Sequence, residues 1–285
     1  MKRSAVRMVA VPALFLAWGA FGAGFSEAAL DGMYTVHDLF VLADGSGEMA
    51  IGLRDFDGAG TMKSFATFAS LSPVRYEVET SGTLRLFSAG HDGGVSGAVA
   101  RDGALAVYAP GYGPGEHPQQ EDGFAALRLS VRKGAGYQTG DLRGDYSYHA
   151  LVYHGDDWWT MSGAVAADGQ GQMFLFRENT PARGFSYKVF SDGRTEVGTQ
   201  GADHAALTAS GELLLHNVVM PPRQDPRYLS GYSGLAVYLL RDASEAGFPV
   251  EAFKGTYRVH ELRADVPGAA RAGALRSEEH TSELQ

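Results

Sequence analysis

The chain has 285 residues, of which 24 are Lys or Arg and 33 are Asp or Glu, giving a net charge of −9 at pH 7. A surface that binds nucleic acid needs a positive stripe, and no basic cluster follows the amino-terminal segment, so we expect no nucleic-acid partner. The chain has no cysteine, which excludes disulfides, thiolate metal sites and a lipoprotein anchor.

Residues 1–28 have the pattern of a secretory signal peptide. Three basic residues among the first eight precede an apolar stretch from Met8 to Phe25, which is the order of a basic region and a hydrophobic region. We expect cleavage after Ala28, with Gly22 as a competing site. A retained membrane anchor is the alternative, although the apolar stretch is short for a bilayer span. The sequence therefore predicts an exported protein, periplasmic or extracellular, with no stable membrane span after cleavage.

An internal repeat of about 111 residues organises the rest of the chain. A glycine, a tyrosine and a histidine return with the same spacing three times, at offsets of 112 and then 111. The three sets are Gly32, Tyr34 and His37; Gly144, Tyr146 and His149; and Gly255, Tyr257 and His260. We therefore predict a first repeat over 29–139, a second over 140–250, and the start of a truncated third repeat over 251–275.

Each repeat consists of short β-rich runs separated by Asp-Gly and other glycine turns, which favour tight hairpins. The first repeat divides into eight such runs: Met33 to Val41, Glu48 to Phe56, Thr61 to Ala69, Val74 to Thr80, Thr83 to Ser88, Val95 to Arg101, Ala104 to Ala109 and Phe124 to Arg132. Eight consecutive strands with one apolar face most readily close into an up-and-down antiparallel barrel. The fold prediction is thus all-β, with two tandem eight-stranded barrels; β-sandwiches and an outer-membrane barrel are the alternatives.

The start of each repeat resembles the calycins, the lipocalin and avidin type of barrel. Members of that group begin their first strand with Gly-x-Trp and pack the aromatic ring under a basic residue near the end of the last strand. Here Gly32-Met33-Tyr34 opens the first repeat, Arg132 and Lys133 end it, and Arg241 ends the second. The sequence departs from that pattern by having tyrosine in place of tryptophan. The resemblance implies a barrel with an interior that can take a small ligand.

The residues that could carry chemistry do not form a recognisable catalytic or metal motif. The repeated histidines could meet at a metal, but repetition of one structural position explains them as well. Asp55 and Asp57 could accept calcium, yet they do not continue into a calcium loop, and turn chemistry accounts for Asp57-Gly58. No Gly-x-Ser-x-Gly elbow is present. We therefore predict no enzyme, no catalytic residue, no metal and no cofactor.

Aromatic residues beside two long loops are the best candidates for binding. The loops Pro110 to Glu121 and Met220 to Ser230 precede the last strand of each repeat, where a barrel mouth would meet a ligand. The candidate residues are Tyr112, Tyr148, Tyr153, Trp158, Trp159, Tyr228 and Tyr232. Core filling is the alternative explanation for these residues.

Two functions follow from these observations. The first is a non-enzymatic binding module for a small apolar molecule or a glycan, and the second is a structural or adhesive repeat protein with filled barrels. A cavity of about 300 Å3 or more lined by Tyr, Phe and Met would favour the first function.

The last ten residues, 276–285, read RSEEHTSELQ, which is the conceptual translation of a common sequencing adapter. We expect this segment to be an artefact that makes no packed contacts. The first strand of the third repeat would then lack its partners, so we expect it either to dock on the second repeat or to be mobile.

Overall fold

The structure is a computed structural model, and it describes residues 25–66, 69–70, 73–87, 95–100, 102–112, 122–177, 181–198, 204–222, 230–241, 256–260 and 277–281. Within these ranges the helical elements are two short 3-10 turns, η1 (Glu27–Ala29) and η2 (Thr139–Asp141). None of the helices described there has the length and apolar character needed to cross a membrane.

The first repeat forms a closed antiparallel barrel, barrel 1. Its strands are β1 (Asp31–Leu42), β2 (Gly47–Asp57), β3 (Thr61–Ala66), β4 (Ala69–Ser70), β5 (Val74–Val78), β6 (Thr83–Phe87), β7 (Val95–Val99), β8 (Leu105–Tyr108), β9 (Gly111–Tyr112) and β10 (Phe124–Arg132). Closure occurs because β1 pairs with β2 on one side and with β10 on the other. The two-residue strands β4 and β9 pair with β3 and β10 on the same edges as β5 and β8, which leaves eight strands in the wall.

The second repeat forms barrel 2, which is also closed. Its strands are β11 (Arg143–His154), β12 (Asp157–Asp168), β13 (Gln172–Phe176), β14 (Arg183–Val189), β15 (Arg194–Val197), β16 (Ala205–Leu207), β17 (Leu213–Met220) and β18 (Tyr232–Leu240). They pair in chain order, and β18 returns to β11. The predicted fold class, two tandem eight-stranded antiparallel barrels, is confirmed, and the eight runs predicted in the first repeat coincide with the eight wall strands of barrel 1.

One end of each barrel is closed by the same device. The 3-10 turn before the first strand delivers a buried leucine, Leu30 in barrel 1 and Leu142 in barrel 2, into the barrel end. A tyrosine hydroxyl from the wall then donates to the leucine carbonyl, with Tyr76 Oη 2.9 Å from Leu30 O and Tyr187 Oη 2.5 Å from Leu142 O. Each barrel therefore has a sealed end, and the loops at its other end form the mouth.

The repeated Asp-Gly turns lie at the sealed ends, and their carboxylates satisfy their own backbone. Asp57 Oδ1 accepts hydrogen bonds from the N–H groups of Ala59 and Thr61, both at 2.8 Å. Asp168 does the same for Gln170 and Gln172. These backbone bonds lower the pKa of both carboxyls. Turn formation therefore accounts for Asp57, as it would in any Asx-type turn.

Tyr34 and Tyr146 occupy matching buried positions, as expected for repeats of one barrel. The Tyr34 hydroxyl donates to Gly103 O at 2.7 Å, and the Tyr146 hydroxyl donates to Gly211 O at 2.9 Å. In barrel 1, Arg132 lies opposite Tyr34 in the ladder and donates from Nε to its hydroxyl at 2.9 Å.

Arg241, which ends the second repeat, does not take the position that Arg132 has in barrel 1. Leu240 is the residue opposite Tyr146, and Arg241 lies one position further on, exposed to solvent. An arginine placed over the aromatic ring of the first strand is therefore a feature of barrel 1. At the level of architecture, the two eight-stranded barrels fit a calycin-like fold.

The two barrels pack against each other through equivalent outer faces. The registers of the closing ladders match Leu39 with Leu151, Leu105 with Leu213, Val107 with Leu215 and Leu127 with Leu235, and all eight side chains belong to one buried cluster between the barrels. The contact therefore has the form of an isologous dimer interface within one chain. Strands such as β10 are apolar on both faces for this reason, because one face lines the barrel and the other meets the neighbouring barrel.

The end of the chain contradicts one expectation. Strand β20 (Ser277–Thr281) pairs with β19 (Thr256–His260) in a two-stranded antiparallel sheet. The tail 276–285 was expected to make no packed contacts, and this is wrong for its backbone, since an unpaired strand edge offers hydrogen-bond groups to any extended segment. Gly255 and the stretch 261–276 lie outside the described residues.

Candidate functional site

The interior of barrel 2 contains a cavity of about 280 Å3. It lies toward the mouth, where β13 turns into β14 and where β17 leads through residues 221–231 to β18. The lining includes Tyr148, Val165, Met173, Leu175, Arg177, Arg183, Phe185, Val197, His216, Val218, Met220, Tyr232 and Tyr238. An apolar pocket with a few polar groups is the usual form of a small-molecule site, and its volume is close to the lower limit of about 300 Å3 for such pockets.

Smaller side chains make this part of barrel 2 hollow. At the corresponding level of barrel 1, the guanidinium of Arg54 lies 5.1 Å from the ring centroid of Tyr108. The strand registers place Val165 and His216 of barrel 2 at these two positions.

A second pair of positions shows the same contrast. Asp38 and Arg128 form an ion pair at 3.2 Å inside barrel 1. Their equivalents in barrel 2 are Ala150 and Ala236. The ion pair of barrel 1 is thus replaced in barrel 2 by two small side chains.

The cavity contains one buried polar pair. His216 Nδ1 and the Tyr238 hydroxyl share a hydrogen bond of 3.2 Å. Burial lowers the pKa of His216 to about 3, because the charged form is poorly solvated there, and the nearby His37 and His204 lower it further. Burial likewise raises the pKa of Tyr238. Both groups are neutral at pH 7, so the pair can exchange a hydrogen bond with a ligand without introducing charge deep in the barrel.

Two arginines stand at the mouth of the cavity. Arg177 follows β13 and Arg183 begins β14, so they flank the same hairpin connection. Arg177 Nη1 lies 3.3 Å from the sulfur of Met161, and Arg183 Nη1 lies 3.7 Å from the sulfur of Met220. The described residues at the mouth therefore include two guanidinium groups beside an apolar interior.

The structure divides the predicted aromatic residues into two groups. Tyr148 and Tyr232 line the cavity, and Trp159 packs edge-on against Tyr232 with ring centroids 6.0 Å apart. Tyr153 and Trp158 instead lie in the contact between the barrels, with ring centroids 4.9 Å apart.

Trp158 is anchored to barrel 1, because its indole N–H donates to Gly45 O at 2.8 Å. Tyr153 covers Gly47, where an added Cβ would come within 2.3 Å of the ring. Both side chains are thus engaged by the β1–β2 turn. Tyr112 belongs to β9, but its side chain is outside the described residues, as is the whole of Tyr228.

The repeated histidines His37 and His149 differ in burial and in their contacts. His37 is fully buried between the barrels, and its Nδ1 donates to Asn217 Oδ1 at 2.9 Å while Asn217 Nδ2 donates to Ala50 O. His149 is half-buried on the outer face of β11, and the side chain of His260 is not described. Within the described ranges no group of three acidic, histidine or cysteine side chains is placed to hold a metal ion.

Several cavity residues were missed in the sequence, namely Arg177, Arg183, Phe185, His216 and Tyr238. No alternation marks His216 and Tyr238 in the sequence, because β17 and β18 have buried residues on both faces. The long loop after Met220 connects two residues that line the cavity, Met220 and Tyr232.

Comparison with known proteins identifies no family for this chain. Neither a protein-family model nor a curated protein matches it. Among solved structures, a protein of unknown function from the DUF3598 family of Nostoc punctiforme PCC 73102 is similar, with 9% sequence identity, coverage of 74% of this chain and 97% of that chain, and a TM-score of 0.26. A TM-score this low supports no statement about fold or function.

Proposed function

We propose that this protein is a non-enzymatic binding protein that holds a small apolar molecule inside barrel 2. The observation that carries the proposal is the cavity of about 280 Å3, whose mainly apolar walls include the polar pair His216–Tyr238. A barrel that only served as a structural unit would gain stability from a filled interior, since empty apolar volume costs contacts. A valine at position 165, where the sister barrel has Arg54, supports a ligand in the cavity of barrel 2.

A glycan is the less favoured ligand. Sugar recognition would use exposed aromatic platforms, whereas Trp158 is bound to Gly45 and Trp159 packs on Tyr232. The cavity wall is also mainly aliphatic and aromatic, which suits a molecule with few hydroxyls.

A structural role is proposed for barrel 1. Its sealed half is filled by Tyr34, Phe56 and Tyr76, which stack edge-to-face with centroid separations of 5.1 and 5.2 Å. Arg54 and the ion pair Asp38–Arg128 occupy its other half. In this proposal barrel 1 supports barrel 2 through the face that the two barrels share. A structural repeat protein is therefore the second candidate function.

Export to the periplasm or the exterior is part of the proposal, and it rests on the signal-peptide pattern of residues 1–28. The test is amino-terminal sequencing of the protein recovered from a bacterial periplasm. A mature chain beginning at Ala29 or Ala23 is expected, and an intact Met1 would refute this part.

The binding proposal is tested with the neutral fluorescent probe N-phenyl-1-naphthylamine. Saturable binding at one site per chain is expected. Val165→Phe places a ring in the cavity and should weaken binding at least tenfold, while Ser162→Phe adds the same ring at an exposed position of the same strand and should not. Melting curves of both variants report folding. Absence of saturable binding to the wild type, or equal binding by two folded variants, would overturn the proposal.

A further inference from the structure

The polar pair His216–Tyr238 lies at the inner end of the cavity in barrel 2. Tyr238 is opposite Tyr148 in the ladder between β18 and β11. Tyr148 is the next inward residue of β11 after Tyr146, whose hydroxyl donates to a backbone carbonyl at the sealed end. Met220, where β17 ends, lies at the mouth. A molecule that fills the cavity therefore meets the polar pair with its innermost end.

The pair is a feature of barrel 2 rather than of both repeats. By the strand registers, His216 and Tyr238 take the positions that Tyr108 and Ser130 have in barrel 1. The hydroxyl groups of Tyr108 and Ser130 are buried and make no hydrogen bond in the described part of the structure. In barrel 2 the corresponding side chains are joined by a hydrogen bond of 3.2 Å. The hydrogen-bonded pair thus accompanies the cavity and is not inherited from the repeat.

The Tyr238 hydroxyl is held in one place and has capacity for a ligand. The Tyr238 ring packs edge-on against Tyr148, with ring centroids 5.1 Å apart, and lies 6.1 Å from the ring of His216. Among the described residues, His216 Nδ1 is the one hydrogen-bond partner of this hydroxyl. A hydroxyl has one proton and two acceptor lone pairs. Tyr238 can therefore form a further hydrogen bond to a molecule in the cavity, and its fixed position lowers the entropic cost of that bond.

The neutral state of the pair decides which ligand group suits it. Burial lowers the pKa of His216 to about 3, so at pH 7 one ring nitrogen carries a proton and the other does not. If Nδ1 lacks the proton, Tyr238 donates to it and the phenolic oxygen can accept from the ligand. If Nδ1 carries the proton, it donates to Tyr238, whose own proton can go to the ligand. A ligand hydroxyl both donates and accepts, so it fits both states, whereas a charged group would be buried without a counterion at the pair.

We infer that the ligand of barrel 2 is a compact neutral alcohol or phenol, whose hydroxyl group forms a hydrogen bond with the Tyr238 hydroxyl at the inner end of the cavity. Its apolar body lies against Val165, Met173 and Leu175. The volume of about 280 Å3 restricts the enclosed body to a small group such as a substituted ring. This inference rests on the proposed binding function of the same cavity.

Competition against bound N-phenyl-1-naphthylamine tests the inference with two compounds of one shape, 4-tert-butylphenol and 4-tert-butyltoluene, in which a methyl group replaces the hydroxyl. The affinity of the probe is measured first in each variant, so that displacement gives a dissociation constant for each compound. Tyr238→Phe should weaken 4-tert-butylphenol about tenfold, because the ligand hydroxyl loses its partner, and should leave 4-tert-butyltoluene unchanged. Tyr187→Phe, which removes a hydroxyl at the sealed end of the same barrel, is the matched control and should leave the ratio of the two constants unchanged.

The outcomes separate the two proposals. Failure of 4-tert-butylphenol to displace the probe, an equal loss of both compounds in Tyr238→Phe, or no loss of either, overturns the hydroxyl inference while the cavity function stands. A wild-type protein that fails to bind the probe overturns the cavity function itself. Binding of 4-tert-butyltoluene by Tyr238→Phe shows that this variant is folded, so a loss confined to the phenol supports the inference.

Discussion

Acidification should destabilise the protein through His37, the histidine buried between the barrels. Its Nδ1 donates to Asn217, and within the described part of the structure its Nε2 has no hydrogen-bond partner. A proton added at Nε2 would therefore give the buried His37 ring a positive charge with no hydrogen-bond acceptor at that nitrogen among the described residues. Burial is the largest cause that lowers the pKa of His37 to about 4; His204 acts in the same direction, while Asn217 and Asp38 oppose it.

The sign and the size follow from linkage between protonation and folding. The pKa of an unfolded histidine is about 6.5, so between pH 6.5 and pH 4 the unfolded chain binds a proton that the folded chain does not. Folding stability is then fully present above pH 6.5 and falls as the pH drops through this window. A lowering from 6.5 to about 4 corresponds to a loss of roughly 3 kcal/mol in the free energy of unfolding.

Urea unfolding between pH 7.5 and pH 4.5 measures this loss, and His37→Gln isolates it. Glutamine can still donate to Asn217 but does not titrate, so the variant should lose roughly 3 kcal/mol less than the wild type over that range. His149→Gln, the equivalent position in barrel 2, is the control and should show a smaller change, because His149 is only half-buried. Equal pH slopes in the wild type and His37→Gln would refute the reasoning.

Three further changes test the packing of the barrels. Arg132→Leu removes the hydrogen bond to the Tyr34 hydroxyl and should lower the free energy of unfolding by about 1–3 kcal/mol in urea titrations. Gly47→Ala forces a methyl group into the ring of Tyr153 and should cost about 1–3 kcal/mol in the same assay. Deleting residues 276–285 should leave the melting temperature unchanged, because β20 pairs with β19 in a sheet separate from both barrel walls.

Each change has a control or an opposing outcome. Gly52→Ala serves for Gly47→Ala, since the nearest atom to an added Cβ at Gly52 is 4.0 Å away. A mild effect equal to that of Gly52→Ala would show that the barrels do not depend on the close approach at Gly47. An unchanged free energy of unfolding in Arg132→Leu would show that Arg132 does not stabilise barrel 1. A fall in melting temperature on deleting 276–285 would show that the tail supports the barrels.

The fold could be predicted because its signals are local and are repeated. Asp57-Gly58 and Asp168-Gly169 mark equivalent turns, and each repeat begins with the same glycine and tyrosine at the first wall strand. Alternation is clear in β5, which is exposed on one face, and is lost in β10, where both faces are buried. Strand number and closure were therefore accessible from the pattern, while the packing of one barrel on the other was not.

The site was only partly predictable because it depends on which side chains point into barrel 2 and which point toward the other barrel. Tyr148 and Tyr232 were identified, but Trp158 and Tyr153 look the same in sequence and lie between the barrels. An apolar outer face that packs on a second barrel cannot be told from an inner face by alternation alone. The cavity is lined by Val165 where barrel 1 has Arg54, a contrast that has meaning only once the registers are known.

Methyl NMR of methionine gives the most direct test that barrel 2 holds the ligand. Met173 lines the cavity and Met62 is its equivalent in barrel 1, so the two residues form an internal comparison within one chain. Addition of N-phenyl-1-naphthylamine should shift the methyl resonance of Met173, together with that of Met220 at the mouth, and should leave Met62 unchanged. A shift at Met62 without one at Met173, or saturating binding that moves neither, would contradict a ligand site inside barrel 2.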